Sequence, residues 1–338
     1  MNSSNLVVNK ALANGRKSHE VINSGVVENV FPHVTSAQRA SGLEWNVKTW
    51  WGLTNTDNYA LIDPEAYQDK PTLSPYDYVL QWESAPRTAN DQASLEAEFA
   101  TADLFGSAVL AVDIAAVDLT IQVDVKHADC LPGGAHDFLK DGYPLRICSH
   151  STATATDGAE VTRTISGTPT YSGLRVSITL DSAVGQAFTV AAGTRVSTMI
   201  RPTGDMEPSY GTIVKTSSGG VVDDTTYPIE LDNKGTIEED WTLTWTDATH
   251  FTLSGDTRGS MGSGTVGTEF APVDSLTSRP LMTIPADMLS GTWTAGDTIE
   301  FTTHPAGLPI GQKRVVLAGA LSLANNKATQ VLAGEAAG

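Results

Sequence analysis

Cys130, His136, Cys148 and His150 are four soft or borderline metal ligands in one short stretch, with His127, Asp129 and Asp137 close by. Zinc takes such donors, and in a strand Cys148 and His150 would share one face. The full spacing, Cys-x5-His-x11-Cys-x-His, matches none of the strong structural zinc patterns. A Cys130–Cys148 disulfide is a second reading. The third is two buried thiols with polar histidines on nearby turns. The spacing therefore assigns no metal ligand, no catalytic residue and no cofactor.

Paired carboxylates are the next candidates. Asp223-Asp224 and Glu238-Glu239-Asp240 could serve as acid and base in glycoside hydrolysis, which needs two carboxyls about 5 to 9 Å apart. Adjacency in sequence supplies no such geometry, and a solvated or calcium-attracting loop is the simpler expectation. Asp113 and Asp118 read as strand or turn residues. The tract Gly259 to Gly267 has no Lys-Ser or Lys-Thr ending and no strand-then-helix context. It is neither a phosphate loop nor a dinucleotide fingerprint, and it reads as a long hairpin tip. Its Gly262-Ser263-Gly264 belongs to the same tip, so no nucleophile elbow emerges. Seven tryptophans (45, 50, 51, 82, 241, 245 and 293) invite a sugar-platform reading, but Trp241 and Trp245 share one strand face, as core residues do.

Charge narrows the classes. The 338 residues hold 21 Lys plus Arg against 39 Asp plus Glu, a formal charge of −18. Binding nucleic acid by neutralising phosphates needs the opposite balance, and an anionic membrane is disfavoured for the same reason. Asn9, Lys10 and Asn14 interrupt any early signal-like apolar run, so Sec-dependent export is not expected. The longest apolar stretch, Leu104 to Val117, contains Asp113 and is too short for a membrane helix. Two cysteines fit a reducing cytoplasm.

The elements that must position these residues are mainly strands. Only 18% of the chain is charged, and Gly (30) and Pro (16) accompany abundant Thr, Ser and Val. Alternation with period two marks 120–125, 174–180, 241–245 and 298–301 as strands with one apolar face. Asn90 to Phe99 predicts a short capped helix, and Ala37 to Gly42 another, with Thr35 or Ser36 as N-cap and Gly42 as the stop. The expected fold is mainly β: a β-sandwich or barrel core, an inserted small immunoglobulin-like β domain and an extended N-terminal arm. Residues 1–60 would be the arm and first strands, 61–107 with 205–325 the main domain, 108–204 the insert and 326–338 a tail. The acidic patch Asp223, Asp224, Glu230, Asp232, Glu238, Glu239, Asp240 and Asp247 has only Lys234 as local counter-charge.

Two stretches resemble virion structural proteins of long-tailed bacteriophages. In Ser24 to Gly42, a Gly25-Val26-Val27 run leads to a Phe31-Pro32-His33-Val34-Thr35 turn and an Arg39-Ala40-Ser41-Gly42 segment. The second runs from Trp293 to Ala306, through Leu308-Pro309-Ile310, and on from Lys313 to Ala320; Gly235-Thr236-Ile237 and Trp241 to Thr244 add to it. The central insert matches only in its loose pattern of short strands. The likeness is strongest to a major tail tube protein. That resemblance implies a non-enzymatic homohexamer whose rings stack into a DNA conduit, with an arm reaching the next ring and an immunoglobulin-like domain outside. It implies tape-measure, terminator and distal-tail proteins as partners, DNA that passes without specific binding, no membrane partner, and a place in the virion after assembly in the host cytoplasm. An acidic lumen would suit sliding DNA, with Asp223 to Asp247 as one source and an outer solubilising face as the other use of that patch. The alternatives are a capsid decoration or baseplate protein, a carbohydrate-binding adhesin module and a zinc-dependent hydrolase.

Overall fold

The computed structural model describes residues 6–26, 28–151, 156–323 and 326–336. The chain is mainly β, with 45% in strands and 5% in helix. A five-stranded antiparallel sheet is built from β1 (Leu6–Ala11), β2 (Lys17–Val21), β3 (Leu43–Leu53), β5 (Asp77–Glu83) and β23 (Gly307–Val316), in the order β2-β1-β3-β23-β5. A nine-stranded sheet contains β4 (Leu61–Lys70), β6 (Ser107–Leu110), β7 (Thr120–Asp124), β8 (Pro144–Ser151), β9 (Thr156–Thr164), β10 (Thr170–Ser172), β11 (Arg175–Thr179), β12 (Arg195–Ile200) and β24 (Thr329–Ala336). A six-stranded sheet contains β13 (Ser209–Tyr210), β14 (Val214–Lys215), β16 (Glu239–Trp245), β17 (His250–Gly255), β18 (Gly259–Thr265) and β22 (Thr298–His304). Two small ribbons pair β15 (Gly220–Val222) with β21 (Leu289–Gly291), and β19 (Val273–Asp274) with β20 (Arg279–Pro280). The helices are α1 (Ser36–Ser41) and α2 (Gln92–Phe99).

The four alternating stretches form β7, β11, β16 and β22, and β16 buries every second side chain from Glu239 to Trp245. Both helices start where their caps predict. Thr35 and Gln38 form a reciprocal capping box on α1, and the Asp91 carboxylate accepts from the Ala93 and Ser94 amides at the start of α2. The central pair β3 and β23 runs in unbroken register from Leu43↔Val316 to Gly52↔Gly307. Its residues around Trp50 and Trp51 are buried on both faces, so no alternation announces them.

The buried side chains divide the chain differently from the expected 61–107 plus 205–325 and 108–204. Tyr78, Leu80 and Trp82 of β5, with Leu95 and Phe99 of α2, share one cluster with Ile121, Ile147, Val176 and Val196 of the expected insert. A second cluster joins Trp51 and Leu53 to Leu61, Ala66, Ile200 and Ile310, between the five-stranded sheet and β4 and β12. A separate core, from Ile229 to Phe301 and centred on Trp241, Trp245 and Trp293, belongs to the six-stranded sheet. The first body thus spans both ends of the chain, and residues 209–304 form the second.

Three expectations are corrected. Residues 6–21 do not reach away as an arm: β1 pairs with β3 from Leu6↔Leu53 to Lys10↔Thr49, and β2 folds back on β1. Leu6 and Val8 pack on the core there, which burial favours over an exposed strap. The Gly/Ser tract is not a hairpin tip, because β18 lies along β17 from His250↔Thr265 to Gly255↔Gly259. The C-terminal segment is not a tail, because β24 completes the edge of β4. Residues 1–5 of the expected arm and 337–338 of the expected tail lie outside the described residues.

A Cβ added to Gly311 of β23 would sit 2.0 Å from the Trp82 ring. Gly311→Ala should therefore overpack the centre of the five-stranded sheet and destabilise the protein by about 3 kcal/mol, read as a lowered urea midpoint at unchanged slope.

Candidate functional site

The Cys/His set separates into two unrelated places. Cys130 lies in a short 3-10 turn, Ala128–Cys130, beside Tyr78 of β5. The Tyr78 hydroxyl is 2.7 Å from His136 Nδ1, and His127 stacks over the Tyr78 ring. Cys148 is buried in β8, opposite Arg195 of β12 and Glu160 of β9, with its Sγ 3.2 Å from the Ser149 carbonyl. His150 follows on β8, its amide bonded to the Ala192 carbonyl. Both cysteines are free thiols, so the disulfide reading falls. Among the described residues no three His, Cys, Asp or Glu side chains gather as metal ligands. Burial pushes the Cys130 thiol up to about 12 and lowers the His136 pKa. Asp137 caps the Gly133 and Leu139 amides.

Six of the seven tryptophans are fully buried, which removes them as sugar platforms. Trp245 and Trp293 stack at 3.7 Å within the second body, and Trp241 Nε1 donates to Thr303 Oγ1. A surface hollow of about 590 Å3 is lined by Asp124, Val125, Ser172, Leu174 and Arg175, and its two charges pair with each other at 2.9 Å. A second, of about 370 Å3, is lined by Asn58, Glu207 to Tyr210, Ile229 and Leu231. Neither lining contains a histidine, cysteine or lysine.

The acidic patch is where charge is concentrated, and half of it is not a free surface. Glu238, just before β16, and Glu239, its first residue, have side chains 2% and 1% exposed. Arg16, at the β1–β2 turn, places Nη1 3.0 Å from Glu239 Oε2 and grips both oxygens of Asp256 at 3.0 and 2.7 Å. Thr257 and the Arg258 amide supply the remaining donors to Glu239. Arg87, in the loop after β5, bonds Glu238 through Nε at 2.8 Å and Asp240 through both terminal nitrogens. His304 Nδ1 meets the other Glu238 oxygen at 2.8 Å. Farther along the seam His19 and Arg258 reach the buried Asp274, while Asp232 is held by Arg279. Asp223 caps the Thr226 amide, and Asp247 binds the 249–250 turn.

Both arginines are delivered by built local structure. The Glu98 carboxylate of α2 accepts from Trp82 Nε1, Ser84 Oγ, the Ala85 amide and Thr88 Oγ1, which shapes the loop carrying Arg87. Lys48, fully buried in β3, donates to the Ala85, Pro86 and Thr88 carbonyls from beneath, and burial lowers its pKa to about 8. The turn carrying Arg16 needs Gly15 at φ +82°, and a Cβ there would strike the Thr88 carbonyl oxygen at 1.9 Å. Trp50 Nε1 donates to the Gly15 carbonyl, and Asn90 bonds Ala11 and Ala13. The arrangement joins the N-terminal hairpin and the loop after β5 to the start of β16.

Comparison with protein-family models, with curated proteins and with solved structures finds no match in any of the three.

Arg16→Ala would leave Glu239 buried with its charge opposed only by neutral donors. The expected cost is about 3 kcal/mol, measured by urea unfolding at pH 7. The Glu238 hydrogen bond raises the His304 pKa above its ordinary value of 6.5. A raised folded-state pKa means this contribution is complete below about pH 6.5 and is lost as pH rises through the folded value. Stability should accordingly fall across that interval, and His304→Gln should flatten the profile.

Proposed function

We propose that this chain is a non-enzymatic structural subunit of a tailed-phage virion, the major tail tube protein, assembling as stacked hexameric rings around passing DNA. The observation that carries the reading is the exposed edge of the six-stranded sheet. β18, Gly-Ser-Met-Gly-Ser-Gly-Thr, ends that sheet with no charge and no proline. Soluble proteins blunt such edges to prevent strand addition. Four other sheet ends follow that rule. β2 carries Lys17, His19 and Glu20; β9 carries Glu160 and Arg163; β10 has three residues; β24 is bulged and carries Glu335. An unguarded edge is an asset where a closed ring pairs it with the next subunit.

Two further observations support the reading. The stretches that resemble virion proteins pack on each other, since Val34 shares a cluster with Val316 and Ala320, and Gly319 donates to the Arg39 carbonyl. The net charge of −18 disfavours adhesion to DNA, even with Glu238, Glu239 and Asp240 paired to arginines. In this role the subunit meets tape-measure, terminator and distal-tail proteins within the virion. A capsid decoration or baseplate role gains one point from the hairpin, which folds on its own sheet and leaves residues 6–21 no reach toward another ring.

The test is negative-stain microscopy of concentrated protein. Hollow rods of uniform width are expected, and Ser260→Lys with Ser263→Lys should abolish them while leaving folded monomers. Wild-type protein that stays monomeric at every concentration, or rods unaffected by the lysines, would overturn the reading.

A further inference from the structure

The seam between the two bodies has an asymmetry that the fold alone does not require. Residues 209–304 are joined to the first body through 201–208 on one side and 305–306 on the other. The first body's grip on β16 comes largely from two arginines, and one of them sits on the N-terminal hairpin. Arg16 reaches Glu239 and Asp256, and His19 of the same hairpin reaches Asp274 at 3.1 Å. The hairpin is itself an added edge: β1 lies on β3, and its turn is pinned by Trp50, Asn90 and the close approach of Gly15 to Thr88.

We infer that the β1–β2 hairpin is a strap that fixes the orientation of the second body on the first, so that occupancy of the β3 edge and the position of residues 209–304 are coupled. The chemistry favours this coupling. Glu239 is 1% exposed, and with the hairpin lifted it would lose its only charged partner among those described. A carboxylate that loses its counter-charge in a buried position takes up a proton or moves toward water, and either change removes the ionic hold across the seam. Arg87 remains as a second tether, to the buried Glu238 and to Asp240, but its own side chain is 37% exposed against 8% for Arg16, so it holds more weakly. Among the described residues, Asn233 and the Leu231 carbonyl also meet Asn55, Asn58 and Tyr59, through neutral hydrogen bonds that leave a pivot. Lifting one edge strand would thus turn a rigid two-body protomer into a hinged one. This inference concerns a single protomer and does not depend on the virion reading.

Spin labels at Val117→Cys in the first body and Val221→Cys in the second, both exposed positions, report the relative placement of the bodies in the full chain. Pulsed electron resonance on the otherwise wild-type protein should give one narrow distance distribution. Arg16→Gln removes the charge while keeping the turn. Gly15→Val dislodges the turn while keeping Arg16. Each should broaden the distribution at least twofold, and near-ultraviolet circular dichroism from Trp241, Trp245 and Trp293 should persist, showing that the second core stays folded. Hydrogen exchange of β1 amides should accelerate in Gly15→Val far more than in Arg16→Gln. A distribution of wild-type width in either variant overturns the coupling, as does broadening accompanied by loss of the tryptophan signal. Because labelled protein is measured as dilute monomer, failure here is separate from failure to form rods.

Discussion

Two glutamates at the start of one strand set the terms for the rest of the molecule. Glu238 and Glu239 lie where β16 enters the second core, and an unpaired carboxylate there would be prohibitively costly to bury. Each is met by an arginine from the other body. Those arginines are useful only if their loops are rigid, which accounts for features that look unrelated in sequence: Glu98 gathering four donors, Lys48 buried beneath three carbonyls, and a glycine at position 15. A planar guanidinium with fixed donors suits this task better than an ammonium, because it satisfies two carboxylates at once. The pairs do not make the interface strong by themselves. They make one relative placement of the two bodies far cheaper than its neighbours.

Much of the fold was legible because half-buried strands write their alternation into the sequence. The four periodic stretches all became strands, and both helices began at their predicted caps. The central strands were less visible, since β3 and β23 bury both faces and carry Lys48 and Lys313 inside. Residues 1–60 show little strict periodicity before Trp45 and many Asn and Ser, the pattern of an arm, yet Asn9 and Arg16 are buried by long-range partners. The seam was legible only in half. Its acids stand together in one segment, but Arg16 lies 223 residues from Glu239 and Arg87 lies 151 from Glu238. No local spacing encodes such pairs. Cys130 and Cys148 failed in the opposite sense, being near in sequence and placed on separate elements.

The proposed assembly follows the same logic. Cys130 is raised by burial, and Glu238 and Asp240 are bonded within the seam. At β18 the surface offers backbone. In a chain of charge −18, copies repel one another wherever acids face each other, and screening leaves that repulsion short-ranged, about 8 Å at physiological salt. The stretch from Gly259 to Thr268 contains no charged residue, so two subunits can approach along β18 without that penalty. Glycine and serine weaken the strand on its own, which keeps it from pairing indiscriminately. Strength would then come from many copies acting together rather than from one edge.

That division of labour bears on why the protein keeps costly buried ions at all. A hydrophobic seam of similar size would hold the two bodies equally well, but it would tolerate sliding, since apolar contact is non-directional. The proposed ring would not tolerate sliding: an angular error at one subunit would repeat at every subunit and leave the ring open or helical. β18 lies in the second body, whereas β3 and its hairpin lie in the first, so the angle between them is fixed only through the seam. Directional pairs such as Arg16 with Glu239 and Arg87 with Asp240 fix that angle at the point where the edge strand's own sheet begins.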